Sequence, residues 1–138
     1  YAVWAGCPFL EGRDRQRLEA VPGVKPAVTR KLAANACVGI SQMDWALADT
    51  GTLVQDATDV DKRLVSTLPP IHVALIATGG LRPDMPAWLA DIEPGATGYM
   101  SMITGPSRTA DIERVLTIGV HGPVRLIIIF IDEPGRTG

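Results

Sequence analysis

The stretch Ile103-Thr-Gly-Pro-Ser-Arg-Thr-Ala-Asp-Ile-Glu113 indicates the fold most directly, because it has the pattern of a strand end, a tight turn and a helix start. Gly105 and Pro106 suit the turn, since glycine permits unusual backbone angles and proline presets φ. Ser107 and Thr109 can each accept a hydrogen bond from amides of a first helical turn. We therefore expect a strand followed by a helix, the repeating unit of α/β proteins.

The same turn is a candidate anion-binding site. The first four amides of a helix lack intrahelical partners and can point at a negative group. Arg108 adds a guanidinium fork that suits a carboxylate or a phosphate. The expected ligand-binding residues of the turn are Gly105, Pro106, Ser107, Arg108 and Thr109. A well-capped helix with Arg108 paired to Asp111 would show the same residues, so the sequence leaves both interpretations open.

Strand and helix patterns alternate on either side of this stretch, which predicts a three-layer α/β/α domain over residues 1–138. We expect a mostly parallel sheet with a hairpin insertion, and the run 124–131, apolar on both faces, predicts a central strand. The other expected strands are 1–4, 37–41, 44–49, 53–54, 71–78 and 100–104. The expected helices are 11–20, 26–36, 59–68, 84–92 and one after Pro106 with Ile112, Val115 and Leu116 inward.

Composition and charge exclude several functional classes. Net charge is −2 and the chain holds three Trp, two Tyr and two Phe, so neither a basic stripe nor a stacking surface for nucleic acid is expected. The longest apolar run, Leu126–Ile131, is far shorter than the ~20 residues of a membrane-spanning helix. No basic-then-apolar signal segment opens the sequence, although the chain begins with Tyr1 rather than Met.

The two cysteines predict neither a metal site nor an iron–sulfur cluster. Cys7 and Cys37 have no second Cys or His at ligand spacing. Two reduced thiols are the expected state, with a disulfide between them as the alternative. We therefore expect no metal and no cofactor.

Acid–base candidates lie in the hairpin segment. Asp44 and Asp49 are the candidate catalytic acids, and Thr50, Gly51 and Thr52 could bind a ligand with two hydroxyls and a glycine amide. An extended backbone would project Asp44 and Asp49 to opposite faces, which argues against a carboxylate dyad. One of them acting alone, or ordinary turn and capping roles, remain open.

The two histidines are expected to be structural. His72 lies within a strand of Ile, Val, Ala and Leu, where a buried and hydrogen-bonded histidine is the usual case. His121 lies on a turn that enters the N-terminal end of a strand, opposite the edge where α/β sheets usually bind ligands.

Four blocks of the chain resemble the lactate-utilisation (LUD) domain family, in particular its C-type component. The resemblance covers about residues 36–132 and suggests a member that is truncated or divergent at its N-terminus. Two departures stand out: Ser41-Gln-Met-Asp44 replaces Thr-Gly-Ala-Asp, and Asp49 replaces a glutamate. The blocks are Gly39–Leu53, the 103–113 stretch, Gly119-Val-His-Gly-Pro123 and, more weakly, Leu68-Pro-Pro-Ile-His72.

The resemblance implies a fold like that of the ribose-5-phosphate isomerase, CoA-transferase and formyltetrahydrofolate cyclo-ligase group. It further implies a cytoplasmic, non-redox accessory component that works with iron–sulfur partners in oxidising lactate to pyruvate. Such a component would bind a small carboxylate or phosphate at the 105–109 turn with help from Thr50–Thr52.

Two alternatives stand beside it. One is a CoA-transferase- or isomerase-like enzyme that acts on a phosphate or CoA ester through Asp44 or Asp49. The other is a purely structural subunit that docks an iron–sulfur partner or forms a homodimer.

Overall fold

Eleven strands and five helices are distributed over the part of the chain that the computed structural model describes, residues 1–5, 7–11, 15–93, 95–106, 108–110, 116–118 and 122–132. The strands are β1 (Ala2–Ala5), β2 (Val24–Lys25), β3 (Val38–Met43), β4 (Trp45–Leu47), β5 (Thr52–Asp56), β6 (Ile71–Ala77), β7 (Leu81–Arg82), β8 (Met100–Ile103), β9 (Arg108–Ala110), β10 (Leu116–Ile118) and β11 (Arg125–Ile131). The helices are α1 (Pro8–Glu11), α2 (Arg15–Glu19), α3 (Arg30–Ala34), α4 (Val60–Thr67) and α5 (Met85–Asp91), and Thr78–Gly80 form a 3₁₀ turn.

A five-stranded parallel sheet in the order β11-β6-β3-β1-β2 forms the centre of the protein. Its strands are rich in Val, Ile and Ala, as expected where helices or strands cover both faces. The sheet and the α/β class agree with the sequence prediction, and the hairpin predicted for 44–54 is present as β4 and β5.

A second sheet, in the order β7-β4-β5-β8, lies against one face of the first. It begins where β3 passes through Asp44 into β4 and β6 passes through the 3₁₀ turn into β7. Met43 and Ile76 of the first sheet and Leu53 of the second share one buried apolar cluster. The strand pair β3–β6 therefore continues into the second sheet as the parallel pair β4–β7.

Helices α3 and α4 cover the rest of the face on which the second sheet lies, and α1 and α2 cover the opposite face. The cluster that includes Val3 and Val65 joins the first sheet to α3 and α4, and Phe9 and Leu18 of α1 and α2 pack on the other face. Trp88 of α5 packs on the outer side of the second sheet. The N-cap side chains of Thr29, Asp59 and Asp84 each accept a backbone hydrogen bond at the starts of α3, α4 and α5. No helix among the described residues is long and apolar enough to cross a membrane.

The helix predicted after Pro106 is wrong where residues are described. Strands β9 and β10 instead pair antiparallel, with Thr109 opposite Thr117. Their β-branched residues favour an extended backbone over a helix. The turn at Gly105 is therefore followed by a strand and does not present the free amides of a helix start.

The central position predicted for 124–131 is also wrong. β11 pairs with β6 alone among the described strands and forms an edge of the first sheet. The apolar character of both its faces was the reason for the prediction, yet Ile127–Phe130 are all at least 38% exposed. Hydrophobicity predicted the strand correctly but not its neighbours.

Two predicted helices are shorter than expected. The segment 11–20 contains only α2 and the last residue of α1, and the helix expected from Pro26 begins at Arg30. Thr29 sets this start, because its side chain accepts a hydrogen bond from the amide of Leu32 at 3.1 Å.

Gly39 sets the approach of α4 to the first sheet. A Cβ at this position would lie 1.9 Å from the carbonyl oxygen of Val65 and 2.9 Å from Cγ of Pro69. The first of these atoms belongs to the helix backbone, so it cannot move without shifting α4. The glycine therefore permits a contact that no larger residue allows.

The buried pair Ser41 and His72 links β3 to β6. Both residues are fully buried, and Ser41 Oγ lies 2.8 Å from His72 Nε2. Burial lowers the pKa of His72 to about 4. The imidazole is therefore neutral at physiological pH, and its burial agrees with the prediction that His72 lies in the core.

We expect Gly39→Ala to destabilise the protein by ~3 kcal/mol, because the new methyl group collides with the α4 backbone. Urea unfolding followed by circular dichroism measures the effect. The matched control is Gly79→Ala, whose added Cβ would meet nothing within 4 Å and which we expect to change stability by less than ~1 kcal/mol. Equal effects of the two substitutions would contradict the packing argument.

We also expect stability to fall as pH is lowered from 6.5 towards 4. The unfolded chain binds a proton at His72 with a pKa near 6.5, whereas the folded protein does so only near 4, so acid favours unfolding. Between pH 7 and pH 5, protonation of His72 lowers the free energy of unfolding by about 2 kcal/mol. Urea titrations of wild type and His72→Gln test it, and a wild-type slope with pH that the variant retains would contradict the assignment.

Candidate functional site

A cavity of about 570 Å³ opens where the strand pair β3–β6 changes sheets. It lies at the carboxyl ends of parallel strands, the edge at which open α/β sheets commonly bind ligands. Its lining combines aromatic rings, an acid, an arginine and the 3₁₀ turn: Phe9, Gln42, Met43, Asp44, Trp45, Ala77, Thr78, Gly79, Gly80 and Arg82. We call it the crossover cavity.

Gly80 brings the two strands together at this cavity. A Cβ on Gly80 would lie 2.6 Å from the carbonyl oxygen of Asp44 and 3.6 Å from Cα of Trp45. The 3₁₀ turn can approach the Asp44 backbone only because residue 80 lacks a side chain. The sequence analysis did not single out Gly80, although its position in Thr78-Gly-Gly80 directly after a strand was a possible signal.

Asp44 is the acid of the crossover cavity. Its Oδ2 accepts a hydrogen bond of 2.6 Å from the amide of Asp56. Partial burial raises the pKa of the Asp44 carboxyl above its ordinary value, while the hydrogen bond from Asp56 and the charge of Lys62 act in the opposite direction. The residue still keeps solvent contact, so a ligand or water can reach it. An acid with these properties suits proton transfer.

Arg82 lines the cavity but is engaged by the protein. Its Nε pairs with Asp91, and its Nη1 donates to the carbonyls of Gly79 and Leu81 at 2.9 Å each. The guanidinium therefore holds the 3₁₀ turn in place. The ring of Trp45, which also lines the cavity, makes an edge-to-face contact with the ring of Trp88, and the two ring centroids are 6.1 Å apart.

A chain of threonine hydroxyls lies at the other end of the hairpin. Thr50 Oγ1 is 2.8 Å from Thr52 Oγ1, which is 3.1 Å from Thr104 Oγ1. The contact follows from the antiparallel pairing of β5 with β8, which places Leu53 opposite Ile103. The structure thus brings the predicted Thr50–Thr52 turn next to the predicted 105–109 turn. Thr104 connects them, and the sequence analysis did not propose it as a site residue.

A second cavity, of about 240 Å³, adjoins this threonine chain. We call it the turn cavity, because the predicted turn residues Gly105 and Pro106 form part of its wall. Gly105 has φ of 100°, a conformation that favours glycine. The remaining lining comes from the end of α4, from β6 and β8, and from the start of β11: Ser66, Thr67, His72, Ser101, Met102, Ile103, Thr104, Gly122, Pro123 and Leu126.

His72 gives the turn cavity a buried polar group. Its Nε2 contacts Ser41, and its Nδ1 has no hydrogen-bond partner among the described residues. If the Ser41 hydroxyl donates to Nε2, Nδ1 carries the proton and is a free donor. Buried polar atoms are rarely left unpaired, so we expect this nitrogen to have a partner, such as water, a ligand oxygen or a residue outside the described part of the chain.

The predicted site residues therefore fall into two places. Asp44 lies in the crossover cavity, whereas Asp49 lies beyond β4 beside Thr50, with its amide bonded to the Pro83 carbonyl at 3.1 Å. Strand β4 separates the two acids along the chain. For Arg108 and Thr109 the structure describes the backbone but not the side chains, and Ser107, Asp111–Val115 and His121 lie outside the described residues.

Metal ligands are not grouped in the described part of the chain, where no set of three His, Cys, Asp or Glu side chains could hold an ion. Cys7 is buried and Cys37 is exposed, and no disulfide joins them. The predicted reduced state of the cysteines therefore agrees with the structure.

Comparison of the sequence with known proteins finds a matching domain family and several relatives. The LUD domain matches residues 14–131. The chain is 36% identical over 115 residues to the lactate utilization protein C of an Exiguobacterium species and 37% identical over 116 residues to that of Macrococcus caseolyticus, in both cases covering 79% of this chain and 50% of the relative. The corresponding Geobacillus protein is 38% identical over 107 residues, which cover 73% of this chain and 44% of the relative. The chain thus spans about half the length of these relatives.

The fold has a counterpart among solved structures. A crystal structure of a DUF162 family protein from Deinococcus radiodurans matches with a TM-score of 0.60 and 20% sequence identity, covering 95% of this chain and 74% of that chain. This likeness supports the α/β architecture, and the sequence matches support the resemblance seen in the four blocks. The chain belongs to the LUD domain family.

Proposed function

We propose that the protein serves lactate utilisation and binds a small carboxylate in the turn cavity. The names of its relatives support the general role. The observation that carries the ligand is a small cavity beside the Gly105–Pro106 turn that Ser101, Thr104 and the buried His72 line, the last with a ring nitrogen that has no hydrogen-bond partner among the described residues. A non-redox accessory role alongside iron–sulfur components, in the cytoplasm, belongs to the same proposal.

The size and chemistry of the turn cavity suit such a ligand. Its volume of about 240 Å³ equals roughly eight water volumes, enough for the six non-hydrogen atoms of lactate or pyruvate. The hydroxyls of Ser101 and Thr104 can hydrogen-bond a carboxylate or a hydroxyl group, and Leu126 offers an apolar wall for a methyl group. Neutral His72 can donate one hydrogen bond without adding a buried charge.

Arg108 would supply the positive charge in this proposal. It follows the turn by two residues, and a guanidinium binds a carboxylate with two parallel hydrogen bonds. Thr50 and Thr52 would act indirectly, since their hydroxyls orient Thr104 through the threonine chain. Asp49, at the same turn, would disfavour a ligand of high negative charge such as a phosphate.

We expect lactate or pyruvate at about 10 mM to raise the melting temperature by roughly 4–6 °C, as a Kd near 1 mM would produce. Arg108→Ala and Thr104→Val should each abolish the shift, the first by removing the charge and the second by replacing a hydroxyl with a methyl group. Arg30→Ala, an exposed arginine on α3, is the matched control and should keep the shift.

A shift that persists in both turn variants would overturn the assignment to the turn cavity. A shift with phosphate or CoA but not with lactate or pyruvate would instead indicate a phosphate-bearing ligand. Absence of any shift, together with co-purification of iron–sulfur proteins, would favour a purely structural subunit.

A second candidate function rests on Asp44. Its raised pKa and its position in the crossover cavity suit a general acid or base, as an isomerase- or CoA-transferase-like enzyme would require. The volume of about 570 Å³ accommodates a sugar phosphate or part of a thioester. Turnover of such a substrate that Asp44→Asn abolishes and Asp49→Asn spares would establish this function.

The Asp44 carboxyl should titrate above the ordinary aspartate pKa, and Asp56 should titrate below it. Desolvation favours the neutral form of Asp44, whereas hydrogen bonds from Thr58 favour the charged form of Asp56. Carboxyl chemical shifts followed by NMR between pH 2 and pH 7 measure both groups, so Asp56 serves as the internal control. The reverse order of the two midpoints would remove the basis for an acid–base role.

A further inference from the structure

Hydroxyl groups at the end of α4 line the turn cavity, and the protein already uses their protons. Ser66 Oγ donates a hydrogen bond of 3.2 Å to the carbonyl of Arg63, and Thr67 Oγ1 donates one of 2.6 Å to the same carbonyl. A hydroxyl has one proton and two lone pairs. Both residues belong to the cavity wall, so while these bonds are kept they present acceptors, and no donor, to a ligand.

The carboxyl end of α4 adds further acceptors to this wall. The last carbonyl groups of a helix have no partner within the helix, and they carry the negative end of its dipole. α4 ends at Thr67, which lines the cavity. This side of the cavity therefore favours a ligand group that donates a hydrogen bond.

Ser101 lines the cavity from β8, beside a buried acceptor that has no donor. β5 and β8 pair with Ser101 opposite Gln55, which places the two side chains on the same face of the second sheet. Gln55 is fully buried, its Nε2 donates to the Gln42 carbonyl at 2.9 Å, and its Oε1 has no partner among the described residues. We expect the Ser101 proton to satisfy this oxygen, directly or through one water, because an unpaired buried acceptor is costly. Ser101 then presents an acceptor to the ligand as well.

We propose that the turn cavity selects a 2-hydroxy acid over the corresponding 2-oxo acid. The inference rests on the carboxylate binding proposed above, in which Arg108 supplies the positive charge. A 2-hydroxyl group can donate its proton to the acceptors of this wall, whereas a 2-oxo group has no proton to donate and sets one oxygen against another. A site that hydrogen-bonds a hydroxyl discriminates against an analogue without it, because its own polar groups are then left unpaired.

A hydroxyl group suits this wall better than an ammonium group, which is another donor that a 2-substituted acid can carry. An ammonium ion that leaves water needs a negative partner. Among the described residues that line the turn cavity, none is acidic. A hydroxyl satisfies the same acceptors without a buried charge, so we expect a 2-amino acid to bind more weakly than a 2-hydroxy acid.

Thr104 does not decide between the 2-hydroxy and the 2-oxo acid. Its hydroxyl belongs to the threonine chain, and the outer member of that chain, Thr50, is exposed to water, so the hydrogen bonds can run in either direction. Thr104 can therefore donate to a ligand oxygen or accept from a ligand hydroxyl. The selection depends on the hydroxyls whose protons are engaged.

The test titrates the isotope-labelled 138-residue chain with lactate, pyruvate or alanine up to about 50 mM at constant ionic strength, and NMR spectra give each Kd. For wild type we expect a Kd for lactate roughly tenfold lower than that for pyruvate, with alanine weaker than lactate. The triple variant Ser66→Ala/Thr67→Val/Ser101→Ala should bring the Kd values for lactate and pyruvate within about twofold of each other. Thr97→Val, in the loop before β8 and outside the cavity wall, is the control and should keep the preference.

Gln55→Leu gives a readout that a loss of packing would not produce. Without the Gln55 oxygen the Ser101 proton is free to turn towards the ligand, so pyruvate should bind more tightly and the preference for lactate should fall. Gln55 is not part of the cavity wall, and circular dichroism checks that the variant folds. The test therefore does not depend on the folding of the triple variant.

Equal affinity of wild type for lactate and pyruvate would overturn this inference and leave the proposed carboxylate binding in place. A preference for lactate that persists in the folded triple variant and in Gln55→Leu would overturn the role of these hydroxyls. Alanine binding as tightly as lactate would overturn the choice of a hydroxyl as the donor. Absence of binding by all three acids would instead overturn the proposed function, and this inference with it.

Discussion

The parallel pairing of β3 with β6 is the constraint on which the rest of the structure depends. It holds the middle of the first sheet, buries the Ser41–His72 pair and leads both strands into the second sheet. The register shows how: Met43 is opposite Ile76, whereas Ala46 is opposite Leu81, so the β6 side contains two more residues. The 3₁₀ turn accommodates them, and Gly80 lets this turn touch the Asp44 backbone.

Each cavity follows from this pair of strands. The crossover cavity lies at the carboxyl ends of β3 and β6, where the two strands end and leave space beside Asp44. The turn cavity lies near their amino ends, where His72 faces the segment that follows β8. The length of β5, about 14 Å between Thr52 and Asp56 at ~3.4 Å per residue, separates the groups that the sequence suggested as one site. The carboxylate binding that we propose and the alternative acid–base role of Asp44 therefore belong to different cavities.

The sequence predicted most strands and helices because local patterns determine them. Asp59 and Asp84 mark helix starts through their caps, and the hairpin at Thr50–Thr52 has its turn residues. It also proposed Thr50–Thr52 and Gly105 as ligand-binding residues, and the hydroxyl of Thr104, which precedes Gly105, contacts that of Thr52. The position of β11 could not be predicted, because apolar residues on both faces indicate a strand without showing which strands lie beside it. The β9–β10 hairpin was missed because capping residues outweighed β-branched ones in the prediction.

One wall of the turn cavity belongs to β11. Leu126 and the preceding Gly122-Pro123 contribute to this wall, while the middle of the same strand carries exposed apolar residues. Parallel hydrogen bonding to β6 positions β11 along its whole length, from Arg125 opposite Ile71 to Ile131 opposite Ala77. This register sets Leu126 opposite His72, and both residues line the cavity. The pairing of β6 with β11 therefore determines which side chains the proposed ligand would meet, as the pairing of β3 with β6 determines the crossover cavity.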